Sequence, residues 1–406
     1  MVMTEVIEFY RRFELKIDAV DFFYLAMPVI TTAADGSQDA LLVRVSAGGY
    51  TGWGECEASP LVSIAAYIAP MSHGACRPVA ASVQGQSLDG PADIVRIARL
   101  IELNSMDLLQ APHTWSGIEM ALWDVLGKKR GEPVWKLIGY AKAYKKVPYA
   151  SVLFGDTPQQ TLERAKTARA DQFTAAKFGW GPIGRGSVRD DADQFAAARE
   201  GLGPEGILLV DTGQIWGEDV DAAAARLPEL EKANATWLEE PFNGSAYSAY
   251  AELSRRTPKI KLAGGEAAHN VHMARHLIDY GHVSFVQIDC GRIGGISAAK
   301  TVADYAVARN VIYVNHTFTS HLALSASIQP YAGLSEHRIC EYPSELKPLA
   351  QEIAKNPLQR DENGEISVPN APGLGIEVDV AVLAKYAVDV QIIVSGKSLF
   401  ASSAIR

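Results

Sequence analysis

ILLVDTG (residues 207–213), ATWLEEP (235–241), IKLAGGE (260–266), FVQIDCG (285–291), VIYVNH (311–316) and ICEYP (339–343) are six short apolar runs, each ending in a polar side chain that can carry chemistry. Those side chains are Asp211, Glu239, Glu266, Asp289, His316 and Glu341, separated by steps of 23 to 28 residues. A step of that size holds one strand, one helix and two loops, the repeat of a β/α barrel. In such barrels the chemistry gathers at the C-terminal ends of the strands. A single charge at the end of a buried strand marks no more than the exit to solvent. Six in register predict a site.

Working outward from these runs, the alternation of strand and helix begins near Lys146. It predicts eight strands: Val147–Val152, Phe173–Gly179, Gly206–Gly213, Ala235–Pro241, Ile260–Glu266, Ser284–Asp289, Val311–His316 and Arg338–Tyr342. The stretches between them, such as Asp193–Gly201, Val220–Leu230 and Ile296–Arg309, are Ala-rich and amphipathic, as outer helices should be. Eight such strands close into a parallel barrel. Ahead of it, Phe13–Val20, Ala40–Val45 and GYTGWGE (49–55) read as strands, with TTAADGSQ (31–38) as a turn. Ile94–Leu103 and Ser116–Lys128 then repeat apolar residues at helical spacing. The expected organisation is an α+β domain over 1–143, a barrel over 144–350 and a tail over 351–406 that packs back on the first domain.

The chain has 406 residues, long enough for two domains, with 48% hydrophobic and 21% charged residues and a net charge of −9. An acidic balance argues against nucleic acid or an anionic membrane as partner. Cys56, Cys76, Cys290 and Cys340 are too scattered for a disulfide framework or a zinc site, and Cys290 and Cys340 are expected to be buried thiols. The N-terminus lacks a signal-peptide pattern and no apolar run approaches a membrane span, so a cytoplasmic protein is expected.

Asp211, Glu239 and Glu266 converge from adjacent strands. Three carboxylates in one mouth repel unless a cation lies between them, and an all-oxygen set suits Mg²⁺. Strand alternation turns Glu239 inward and leaves Glu240 behind it. Asp289 and His316 end consecutive strands, so the carboxylate can fix the tautomer and raise the basicity of the ring, making His316 a general base or acid. His321 is the competing histidine, placed beyond the strand end. Opposite them, FTAAKFG (173–179) offers Lys177, which inside a barrel must pair with an anion or lose its charge.

Together these residues resemble the enolase superfamily, in its mandelate racemase-like subgroup. HTWSGIEMALWDVLGKKRGEPVWKLIG (113–139) is similar to the subgroup's helical signature. WLEEP (237–241), AGGE (263–266), QIDCGRIGG (287–295) and APGLGIEVD (371–379) are similar to its further landmarks, and the resemblance spans nearly the whole chain. It implies an α+β capping domain, built from the N-terminal part and the C-terminal tail, over a modified (β/α)7β TIM-type barrel. It also implies Mg²⁺ on Asp211, Glu239 and Glu266, an Asp289–His316 dyad and Glu341 beside the substrate. The implied chemistry is removal of a proton α to a carboxylate through an enediolate. Two positions depart from the subgroup's pattern: Gly179 stands where a racemase carries the outer lysine of Lys-x-Lys, and Gly213 where asparagine is common.

The expected function is therefore an acid-sugar (aldonate or aldarate) dehydratase in which His316 takes the α-proton. The alternative is a racemase or epimerase with Lys177 as second base, should it reach through a shift of the loop GWGPIGRG (179–186). A cycloisomerase or dipeptide epimerase is disfavoured, because such relatives carry a lysine at the sixth strand, where this chain has Asp289. A small-molecule substrate and a homo-oligomer are expected. Specificity should come from capping loops near Tyr24–Ser37 and Cys56–Ile68, with Thr31, Thr32 and Ser59 as candidates.

Overall fold

The structure, a computed structural model, describes residues 15–405. Three antiparallel strands open it, β1 (Ile17–Ala26), β2 (Asp39–Ala47) and β3 (Tyr50–Cys56), in the order β1-β2-β3. The first strand lies further along the chain than the sequence suggests, and Phe13 and Glu14 fall outside the described residues. The helix Ala111–Arg130 packs directly on β3. A Cβ at Gly52 or Gly54 would stand 2.1 Å from the carbonyl oxygen of Ala121 or Gly117. The alternate glycines of GYTGWGE are thus the condition for this helix to touch the sheet backbone.

All eight expected barrel strands form: β4 (Val147–Leu153), β5 (Ala175–Gly179), β6 (Ile207–Asp211), β7 (Ala235–Glu239), β8 (Lys261–Gly264), β9 (Phe285–Asp289), β10 (Ile312–His316) and β11 (Ile339–Pro343). They pair in parallel in the order β10-β9-β8-β7-β6-β5-β4-β11. The two ends of this series meet through one side chain. Asn315 of β10 accepts the Glu341 N–H at 3.0 Å and donates to the Glu341 carbonyl at 3.2 Å, while the Tyr331 hydroxyl donates to its Oδ1 at 2.8 Å. Below the mouth, Tyr149, Leu209, Trp237 and Val314 pack with Ala175 and Ala263 into a buried plug.

Further expectations change. Pro60–Ile68, expected within a capping loop, is a helix. The helix anticipated over Val220–Leu230 is two shorter ones, Val220–Ala224 and Leu227–Lys232, because Pro228 has no N–H to continue the ladder. β8 ends at Gly264, so Glu266 is positioned by the loop rather than the strand. Gly265 there has φ +129°, and a Cβ would meet the Gln287 carbonyl at 2.7 Å.

The first sheet and the barrel share buried polar joints. Glu119, on the helix Ala111–Arg130, accepts the N–H groups of Ile296 (2.7 Å) and Ser297 (2.9 Å), capping the barrel helix Ile296–Ala308. Asp124 accepts the N–H groups of Trp53 and Leu374, both at 2.9 Å, tying β3 to the tail. Further on, the Val388 N–H donates to the Tyr24 carbonyl at 2.8 Å, and the tail closes in a hairpin of β12 (Gln391–Val394) and β13 (Lys397–Ala401). Among the described residues no helix is long and apolar enough to cross a membrane.

The Asn315 joint yields a test. Asn315→Ala leaves the Glu341 N–H and the Tyr331 hydroxyl buried without their partner, which should lower unfolding free energy by about 2–3 kcal/mol. Urea denaturation of the variant beside the wild type measures it. Because Glu341 is held at the same joint, activity should fall more than the lost stability alone explains.

Candidate functional site

The barrel's strand ends surround a cavity of about 210 Å³ that opens under the loops of the first sheet. Register sets two tiers. Gly179, Asp211 and Glu239 lie level across β5, β6 and β7, as do Asp289 and His316 across β9 and β10. Lys177 is level with Leu209 and Ser151, one inward position deeper. From there its Nζ lies 2.7 Å from Glu239 Oε1 and 2.8 Å from Glu341 Oε1, with Asp211 Oδ2 at 3.7 Å.

On the opposite side, His316 Nδ1 lies 2.6 Å from Asp289 Oδ2, and Nε2 lies 3.0 Å from Glu266 Oε2. Asp289 is itself fixed by the Gly291 N–H at 2.6 Å. Arg292, from the loop after β9, contacts Glu266 Oε1 at 3.2 Å and forks onto Glu57 with Nε at 3.0 Å and Nη2 at 2.9 Å. Glu57 follows β3, so the fork joins the first sheet to the barrel across the mouth. Glu341 takes hydrogen bonds from Ser151 Oγ and the Thr317 N–H, both at 2.7 Å.

Charge follows this geometry. Burial opposes ionisation throughout, yet Arg292 holds Glu57 below the usual carboxylate range, His316 and Arg292 hold Glu266 there, and Lys177 and His316 hold Glu341 there. Burial works against the His316 charge too, but Glu266, Glu341 and Asp289 raise its pKa to about 10. Both ring nitrogens face carboxylates, so in this arrangement the ring is a doubly bonded imidazolium. Asp211 and Glu239 differ. Burial pushes them up to about 7 and about 8 despite Lys177, with neighbouring carboxylates adding to the rise.

The three expected metal ligands therefore do not meet at one point. Lys177 occupies Glu239, while Glu266 is turned toward Arg292 and His316, and among the described residues no three Asp, Glu, His or Cys side chains stand ready to hold a metal. The donor chemistry nevertheless fits a hard divalent cation: three carboxylates, two of them short of positive charge. Glu240 lies behind, at φ +39°, taking a hydrogen bond from Gln214 at 2.8 Å.

The two sequence departures bear on two different side chains. A Cβ at Gly179 would stand 2.9 Å from Asp211 Oδ2, and one at Gly213 would meet the Trp180 indole at 2.6 Å. Trp180, at φ +56°, lies over the position a larger residue at 213 would need and lines the cavity. The loops after β1 and β3 do reach the cavity, but through Ala34, Gly36 and Glu57 rather than Thr31, Thr32 or Ser59. Glu57, Arg292 and Trp180 were not singled out from the sequence. Arg292 lies inside the quoted QIDCGRIGG, and a second acid in WGECE was the one signal for Glu57.

Comparison with known proteins follows the same outline. Residues 23–139 match the mandelate racemase/muconate lactonizing enzyme N-terminal domain, and residues 160–382 match the enolase C-terminal domain-like family. A D-galactarolactone cycloisomerase from Agrobacterium fabrum is 29% identical over 287 residues, covering 67% of this chain and 73% of the relative. A D-galactonate dehydratase from Ralstonia pickettii is 28% identical over 279 residues, covering 66% of this chain and 72% of the relative. Among solved structures, a "predicted Mandelate racemase" from Rhodobacter sphaeroides superposes with a TM-score of 0.92 at 62% identity, covering 96% of this chain and 100% of that one. The 3,6-anhydro-D-galactonate cycloisomerase from Zobellia galactanivorans superposes with 0.79 at 26% identity, covering 92% and 99%.

His321, the competitor for the base, begins the helix His321–Ile328 away from the dyad. Its Nδ1 accepts the Leu358 N–H at 3.1 Å and its ring meets Tyr342 edge-on at 5.5 Å. Burial pushes its pKa down to about 4. The unfolded chain takes a proton here below about 6.5 while the folded chain does not, so stability falls as pH drops from about 6.5 toward 4. His321→Gln should remove this contribution, on the order of 2–3 kcal/mol over that interval. Urea unfolding of both proteins at several pH values checks it through a flatter slope in the variant.

Proposed function

The chain belongs to the enolase superfamily, in its mandelate racemase-like branch, and from that premise we propose that it is a Mg²⁺-dependent acid-sugar dehydratase. The observation that carries this reading is the inequality of the two candidate bases. His316 ends its strand with a carboxylate fixing Nδ1, whereas the Lys177 side chain starts one inward position below Gly179 and its ammonium is held within 2.8 Å of Glu239 and Glu341. Gly179 stands above Lys177, so that strand position offers no side chain in place of the outer lysine. One face of the substrate therefore has a base and the other does not.

His316 acts as base through Nε2, once that nitrogen is free of Glu266, and Asp289 keeps the proton on Nδ1. The α C–H bond breaks to Nε2 and its electron pair moves into the carboxylate as an enediolate. The positive charge of Lys177 lies where it can offset that developing negative charge. The electron pair then returns to form a C=C bond as the β C–O bond breaks. The departing oxygen takes the proton from His316 and leaves as water, and the enol settles to a 2-keto acid. Mg²⁺ held by Asp211, Glu239 and Glu266 would supply charge stabilisation at the substrate carboxylate.

A second reading is favoured by the relatives named as acid-sugar cycloisomerases. The proton removal is the same, and the eliminated oxygen stays tethered to the product when it belongs to a ring, giving isomerisation in place of water loss. Asp289, at the sixth strand where a lysine is expected of a cycloisomerase, counts against this second reading. A two-base racemase fits less well, for the position of Lys177 described above.

Mass spectrometry of an acid-sugar panel incubated in D₂O separates these outcomes. Loss of water from the product supports the dehydratase. Deuterium gained at constant composition with ring opening marks a cycloisomerase, and deuterium at an inverted α-carbon marks a racemase. Chelation with EDTA should abolish turnover and added Mg²⁺ should restore it, so full activity after exhaustive chelation would sink the metal assignment.

In the variants, His316→Asn should lower kcat by roughly 10²–10⁴-fold, while His321→Asn should keep much of it. Lys177→Met should slow turnover yet leave His316-dependent α-proton exchange visible by NMR. Exchange that survives in His316→Asn and vanishes in Lys177→Met would make Lys177 the base.

A further inference from the structure

We infer that the substrate carries a single carboxylate, beside the proton that is lost, and that its remote end is uncharged and rests against Trp180 and Phe318. The inference depends on the acid-sugar reading above and narrows it to aldonate-like over aldarate-like acids.

The charge inventory of the mouth comes first. Among the described residues its cations are Lys177, Arg292 and His316, and each is already engaged. Lys177 bridges Glu239 and Glu341, Arg292 forks onto Glu57 and touches Glu266, and His316 lies between Asp289 and Glu266. With Asp211, six carboxylates face these three cations, so a bound divalent cation still leaves an anionic excess. One substrate carboxylate can be accepted at the metal. A second has no countercharge waiting for it.

The remote wall points the same way. It is made by Ala34 and Gly36 from the loop between β1 and β2, Val152 and Leu153 of β4, Trp180 and Phe318. Of the cations in the adjoining segments none lines the cavity: Arg164 donates to the Leu153 carbonyl at 2.7 Å and lies 3.6 Å from Glu345, Lys347 lies 3.4 Å from Asp35, and the exposed Arg185 donates from Nε to the Gly181 carbonyl at 3.1 Å. The charged residue that the first domain brings to this cavity is Glu57, a carboxylate already paired with Arg292, so that domain adds no free positive charge for a second substrate carboxylate. Glu57 already contributes, after burial, to raising the neighbouring Asp39.

Trp180 supplies the positive part of the recognition. Gly213, at φ +53°, leaves room for the indole over the mouth, where the side chain remains 39% exposed. An aromatic face that open at the edge of a polar cavity suits the C–H face of a polyol chain or ring and offers nothing to a carboxylate.

The test uses calorimetric binding to the Mg²⁺-loaded His316→Asn protein, which holds ligand without turning it over. The probes are matched pairs of hexonates and hexarates, such as gluconate with glucarate and galactonate with galactarate. Wild-type kcat/KM on the same pairs runs beside it. In at least one pair the aldonate should bind about tenfold or more tighter than its aldarate. Trp180→Ala should weaken that aldonate by about tenfold, and Leu153→Arg should narrow the gap by giving the second carboxylate a partner. Aldarates bound as tightly as their aldonates in every pair overturn the inference, as does a preferred aldonate indifferent to Trp180→Ala. Binding of no acid overturns the acid-sugar reading and the inference with it. Turnover of an aldonate without water loss overturns the dehydratase alone and leaves the single-carboxylate requirement standing.

Discussion

Negative charge buried at the mouth of the barrel is the constraint around which the rest is arranged. Six carboxylates in a space largely closed to water would be prohibitive if unpaired, since a buried charge needs a partner or a proton. Lys177 rises from the tier below to two of them, Arg292 crosses from the barrel to Glu57 of the first domain, and His316 lies between two more. Asp211 and Glu239 remain the least compensated. That shortage is where a divalent cation would contribute most. The electrostatic need and the proposed chemistry thus coincide at the same pair of strand ends.

The same constraint explains why the first domain belongs to the site rather than merely covering it. Glu57 reaches Arg292 because β3 is held flat against the helix Ala111–Arg130 by two glycines that admit the helix backbone. Glu119, on the same helix, caps the barrel helix that begins just after the Asp289 loop. A displacement of this helix would therefore disturb Glu57 from one side and the Asp289 loop from the other. Packing of small residues and capping of a helix end act here as the supports of a charged site.

Gly179 and Gly213 shape the mouth separately. Gly179 lies against the Asp211 carboxylate, and Gly213 leaves the space above it to the Trp180 indole. In the sequence these are two absences and an unremarked tryptophan. In space the second glycine is the condition for an aromatic wall at the cavity.

By itself the sequence determined the barrel, its eight strands, the two longest helices of the first domain and the residues at the strand ends, because strand periodicity and repeat length are local properties of the chain. It determined the Asp289–His316 pairing, since ends of consecutive parallel strands must be neighbours. It also foretold the deeper tier of Lys177, because side-chain alternation in a strand follows from backbone geometry alone. What only the tertiary structure decided depends on segments far apart in the chain. Glu57 and Arg292 are separated by 235 positions and meet only once the two domains have docked. The Asn315 joint exists only after the strand series has curved round on itself. The break at Pro228 was legible but overlooked, whereas Glu266 could be assigned to a loop only once the end of β8 was seen. Which carboxylate each cation chooses is settled by distances in the folded mouth, and pairing energies there depend on burial and on competing neighbours that no linear pattern records.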